Sequence, residues 1–255
     1  MIDVLTYTFS HTEVRAAWRR FLLGFGIVLV ILLGTALFRT ESLQAGVFPL
    51  IFQMHLLLLQ MITVLMTHRI WTVALREPME DGRIAGLLLL PLSRTQTALG
   101  ILITGLMIGI GTWLAAVLVY SAVLAVYGLY SGAALVPLGL VVRLVIGQLA
   151  ALLTLLCLQY ALAAETAYKP SWQLFGVLIP FIFLVLAMIS QVFQPLAWLR
   201  FFTPVTLTAG RSVLGARPGT VRIAIQLLAA LNLILRARKQ FARRDIRPVL
   251  AETSQ

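Results

Sequence analysis

Carboxylates are the scarcest chemical resource in this sequence, and a third of them stand together. Glu77, Glu80 and Asp81 are three of nine acids in 255 residues. Such a cluster can hold a divalent cation or run acid–base chemistry, but either role needs further ligands or a partner base nearby. After Asp81 the next acid is Glu165, so those partners are absent from the following stretch. Three His residues are scattered, and the single cysteine, Cys157, sits inside an apolar run as a small hydrophobe. One thiol excludes a disulfide or a thiolate metal framework. No catalytic set, metal set or cofactor site emerges. No Gly-x-x-x-x-Gly-Lys-Ser/Thr loop occurs either, so nothing here cradles ATP.

A second group of polar residues lies within apolar runs. Gln53, Gln60, Thr63 and Thr67 fall within about 80° of one another on a helix. That stripe suits interhelical hydrogen bonds or the wall of a translocation path. His55 points away from it and reads as a packed histidine. Gly105 and Gly109 form a Gly-x-x-x-Gly pair, a close-packing signal. Arg143 falls six positions past Pro137, in the first third of an apolar run, either a functional charge or an arginine snorkelling to the interface. Asn232 is similarly two-sided.

The elements that carry these residues follow from composition. Apolar residues make up 60% and charged residues 11%, against roughly 45–50% and about 25% in soluble domains. A soluble core cannot absorb that imbalance, whereas lipid can. The net charge of +11 does not indicate nucleic acid, because the Arg residues mark the ends of apolar runs. A bilayer core needs about 20 apolar residues of helix. Six segments meet or approach this: 21–38, 47–67, 98–127, 134–164, 172–194 and 221–235. The expectation is an all-α polytopic membrane protein of one domain, 1–255, with no removable signal peptide.

Charge bias orients it. With both termini in the cytoplasm, fourteen Lys and Arg residues fall inside and five outside, Arg143 lying within a span. Residues 1–20 place Val14, Ala17, Trp18 and Phe21 on one helical face, which predicts an interfacial helix on the cytoplasmic surface. Residues 195–220 mix Pro195, Pro204, Pro218, Gly210 and Gly215 with Trp198, Phe201 and Phe202. That mixture predicts an apolar cap on the outer face. Residues 68–94 form a cytoplasmic connection and 236–255 a cytoplasmic tail.

The connection carries a recognisable pattern. Glu77-x-x-Glu80-x-Gly82, then Leu88-Leu89, then Pro91-x-Ser93-Arg94 immediately before a span, resembles the permease subunits of type 2 ABC exporters. Phe241-Ala-Arg243-Arg244-Asp245-Ile resembles the aromatic-x-Arg-Arg-Asp ending of the same family, and the six-span layout is similar along nearly the whole chain. Arg83 stands where that family commonly has a small hydroxyl residue, and Gly100 lacks the following Lys. These departures bear on the subfamily.

The resemblance implies a dimer, formed with a second copy or a related permease in the cell (inner) membrane. It also implies separate ATP-binding subunits that hold ATP and Mg on the cytoplasmic face. Glu77, Glu80, Asp81, Gly82, Arg83, Leu88, Leu89, Pro91 and Arg94 would couple to that ATPase. The cargo would be a hydrophobic or amphipathic compound moved outward. Two alternatives stay open. A haem-exporter-type permease of cytochrome c maturation, or a non-transporting anchor, shares the Asp-Gly, Leu-Leu-Leu and Pro pattern. A lipid-modifying enzyme is suggested by Asp81-Gly82-Arg83 but lacks the further carboxylates that its metal ions need.

Overall fold

A computed structural model describes residues 12–38, 48–80, 93–131, 138–166, 174–193, 195–196, 198–199, 203 and 218–243. Every extended element among them is helical. In chain order they are α1 (Thr12–Phe38), α2 (Phe48–Trp71), a π-helical turn (Thr72–Arg76), and the single turn α3 (Glu77–Glu80). Then come α4 (Arg94–Ser131), α5 (Leu138–Thr166), α6 (Phe175–Val192) and α7 (Pro218–Arg243).

Among the described residues three stretches are long and apolar enough to cross a membrane: Phe52–Met79, Arg94–Tyr130 and Leu144–Glu165, with Phe175–Ser190 a shorter apolar helix. The 38 residues of α4 rise about 57 Å at 1.5 Å each. That exceeds the roughly 30 Å of bilayer hydrocarbon, so α4 projects beyond it.

Near the N-terminus the outcome differs from the expectation. α1 runs unbroken from Thr12 through Phe38, so there is no turn near residue 20 between a surface helix and a span. Glu13, Arg15, Ala16, Ala17, Arg19 and Arg20 are helix-tolerant, and no Gly or Pro interrupts them. Trp18 then packs on the same core as the rest of α1. Residues 1–11 lie outside the described residues, as does most of the 195–220 stretch. Of the latter, short helical turns at 195–196 and 198–199 are described, and α7 already begins at Pro218.

α2 is the central helix, packing against α1, α4, α5 and α6, while α7 lies chiefly along α5. Small residues make those approaches possible. A side-chain carbon on Gly105 of α4 would sit 2.1 Å from the Trp71 ring, and one on Gly109 would meet Thr67 Oγ1 at 3.3 Å. Gly24 of α1 faces Met66, and Gly176 of α6 faces His68. The Gly-x-x-x-Gly pair is thus the seat of α2 within the same chain.

Two apolar clusters fill the bundle. The larger joins α1, α2, α4, α5 and α6 around Leu56, Trp113, Tyr120 and Leu155. The smaller gathers Trp71, Leu75, Met79, Ala98, Tyr160 and Phe241 where the 68–94 connection leaves and rejoins the helices. We call this the connection end.

Candidate functional site: the connection end

The connection begins as an extension of α2. The helix passes Trp71 without a break, widens into the π-helical turn, and closes with the Glu77 N–H donating to the Thr72 carbonyl. The Thr72 hydroxyl donates to the His68 carbonyl at 2.9 Å, occupying a carbonyl at the widened turn. π-turns of this kind recur at functional sites. Val73, Ala74, Leu75 and Arg76 are buried along it. Arg76 as a whole is only 4% exposed, and a buried charge is retained at a cost unless partners surround it. Arg69 Nη1 donates to Glu77 Oε1 at 3.0 Å, an ion pair bridging the π-turn from one side to the other.

The connection ends on a built helix start. The Ser93 N–H donates to Gln96 Oε1 at 2.8 Å, and the Gln96 N–H donates to Ser93 Oγ at 3.2 Å. This reciprocal pair is a capping box that satisfies two otherwise orphaned groups. It gives the Ser of the Pro-x-Ser-Arg pattern a concrete role. Arg94 is exposed as the first residue of α4. A cation there opposes the helix dipole by about 0.3–1 kcal/mol, so its charge does not serve the helix.

Behind these two ends the bundle is tied by polar contacts. The Tyr160 hydroxyl donates to the Ala98 carbonyl at 2.8 Å, joining α5 to α4, and its ring meets Trp71 edge-on at 5.2 Å. Gln159 Nε2 donates to the Val64 carbonyl at 2.8 Å and to the Gly176 carbonyl at 3.3 Å, joining α5, α2 and α6. The second bond has a covalent cause. Pro180 lies inside α6, has no N–H, and so leaves the carbonyl four residues back, that of Gly176, without its helical donor. On α7, Arg236 pairs with Glu165 Oε1 at 2.7 Å and Gln240 Nε2 donates to the same oxygen at 3.0 Å.

The candidate residues divide as follows. Glu77 and Arg94 stand at the two described edges of the connection, together with the backbone of Glu80. Asp81, Gly82, Arg83, Leu88, Leu89 and Pro91 lie outside the described residues, as do Arg244, Asp245 and the side chains of Glu80, Arg143 and Arg243. Gln53 is 5% exposed, and Gln60, Thr63 and Thr67 are each 0% exposed. The stripe is therefore enclosed within one chain. Thr63 and Thr67 donate back to the carbonyls of Leu59 and Thr63 on their own helix. Arg143 belongs to the second turn of α5. His55, set apart from the stripe, pairs through Nδ1 with the Tyr120 hydroxyl. Among the described residues no three metal-ligating side chains converge.

Sequence reasoning missed Trp71, Gln159, Tyr160 and the Glu165–Arg236–Gln240 group. A Gln-Tyr pair in an otherwise apolar run was the available signal. No protein-family model and no curated protein matches the chain. Among the described residues every extended element is helical and three helices are long and apolar enough to cross a bilayer, which with the composition is the construction of an integral membrane protein.

Proposed function

We propose that this chain is the membrane-spanning subunit of an ATP-driven exporter of the type 2 ABC kind. It crosses the cytoplasmic membrane six times with both termini inside and pairs with a second copy or a related permease. ATP and Mg are held by a separate ATP-binding subunit. The 68–94 connection receives that subunit's movement, and the cargo is a hydrophobic or amphipathic compound.

One observation carries this reading. The acidic connection starts as an unbroken continuation of the central helix and finishes at the capped start of the longest one, and both roots enter the same buried cluster. A push on such an element moves α2 and α4 together. Gln159 and the Gly105, Gly109 and Gly176 contacts pass that movement on to α5 and α6. Three acids within five positions, Glu77, Glu80 and Asp81, give this stretch of sequence a negative charge suited to a basic groove on a soluble partner.

The test is affinity purification of the chain in mild detergent, with mass spectrometry of what accompanies it. The reading expects a stoichiometric ATP-binding subunit whose ATPase rate depends on this chain and drops when residues 77–83 are altered. Recovery of the chain alone, stable and without such a subunit, overturns it.

A further inference from the structure

The middle of the bundle contains polar groups that the packing does not use. Gln60 and Gln148 are each wholly buried, and neither amide oxygen nor amide nitrogen of either has a hydrogen-bond partner. The indole N–H of Trp113, also 0% exposed, is in the same condition. Buried polar groups in native proteins are nearly always satisfied by protein or by water. Five unmatched atoms on three adjoining helices form a pattern to be explained.

The three side chains share one interior seam. α2 and α4 are antiparallel: Trp71 lies against Gly105, Thr67 against Gly109 and His55 against Tyr120. Trp113 stands about one turn past Gly109 and about two turns before Tyr120 on that same inner face, level with Thr63 and Gln60. α5 also runs antiparallel to α4, since Tyr160 reaches Ala98 while Leu156 lies at Gly109. It is therefore parallel to α2. Gln148 precedes Gln159 by about three turns and returns to within about 20° of its direction. Gln159 faces α2, where it bonds Val64. Gln148 consequently faces α2 between the levels of Gln53 and Gln60. Next along from Trp113 and Gln148 on their helices come the small residues Ala116 and Ala151, both within the same cluster.

We infer that the α2–α4–α5 seam binds water at Gln60, Gln148 and Trp113, as an internal hydrated site enclosed within one protomer. The chemistry selects this ligand. Two neutral amides offer donors and acceptors without charge, and the indole adds one donor. A water molecule needs two to four such partners. A divalent cation would need about six or more oxygen ligands, and these three residues offer only two amide oxygens. The site goes beyond the exporter reading and requires no ATP-binding partner. Its failure and that of the exporter reading are separate results.

The experiment is radiolytic hydroxyl-radical footprinting of the full chain in detergent, because radicals form in place from bound water and mark the aromatic rings beside it. The internal reference is Phe25 of α1, 4% exposed in the same cluster but outside the α2–α4–α5 seam. In the wild type, Trp113 should be oxidised several-fold faster than Phe25. In the Gln60→Leu/Gln148→Leu double variant that excess should disappear. Equal oxidation of Trp113 and Phe25 in the wild type overturns the inference whether or not the double variant folds. So does an undiminished excess in a folded double variant.

Discussion

The connection end and the middle of the bundle are built from the same apolar helices but differ in how far their buried glutamines are anchored. At the connection end, cross-helix polar groups reach specific backbone or charged partners: Tyr160 to Ala98, Gln159 to Val64 and Gly176, and Glu165 to Arg236 and Gln240. Glycines there let α2 sit directly against its neighbours. The Trp71 indole N–H and the Gln159 and Gln240 amide oxygens are unmatched there too, but both of those glutamines are held through Nε2. In the middle, leucines do the packing, and Gln60 and Gln148 are unmatched at both ends of the amide, as is the Trp113 indole N–H. One region is tied across its helices by these bonds. The other has few directional contacts to break when helices shift. A lever rooted in the first region and acting through the second is the arrangement that an ATP-driven permease needs.

The strongest way to break this contrast is to spoil the glycine seat. Gly105→Ala places a methyl group in the Trp71 ring and should destabilise the protein by about 1–3 kcal/mol, read as a lower Tm in detergent. Gly111, with nothing within 4 Å of its added carbon, is the control. Gly111→Ala should be neutral or stabilising by up to about 1 kcal/mol. Equal effects at the two positions would remove the distinction between seat and surface.

Gln159→Leu is next. It cuts both amide bonds and leaves the Gly176 carbonyl, already without its helical donor because of Pro180, unpaired. A loss of about 1–2 kcal/mol in thermal unfolding is expected, near the upper range for hydrogen bonds between membrane helices. Pro180→Ala introduced together with Gln159→Leu should recover part of it by restoring that donor.

Glu77→Gln is the mildest change. The Arg69–Glu77 pair bridges the π-turn with side chains 62% and 28% exposed, so its stability contribution is about 0–1 kcal/mol and weakens with salt. A larger effect on coupled ATPase rate than on Tm would assign the pair to transmission; parallel small effects would assign it to the surface.

Much of this organisation was legible beforehand, and for identifiable reasons. Long apolar runs announce helices in lipid, so α2, α4, α5 and α6 appeared close to their expected places. Gly105 and Gly109 announced close packing, because only a missing side chain permits it. Which helix fills that seat is a tertiary fact, and no local pattern names Trp71. The π-turn at Thr72–Arg76 leaves no mark in composition. The role of Gln159 depends on Pro180, twenty-one positions later and on another helix. The continuity of α1 through residue 20 was missed because an amphipathic face with Trp18 fits both a surface helix and the packed start of a span.

The central claim is that the acidic connection is where an ATP-binding subunit docks. Charge reversal at Glu80 and Asp81 (Glu80→Lys/Asp81→Lys), followed by affinity purification from membranes, tests it most directly. The account predicts normal insertion and yield of the variant chain, with several-fold less ATP-binding subunit recovered per copy. Undiminished recovery of that subunit would contradict it.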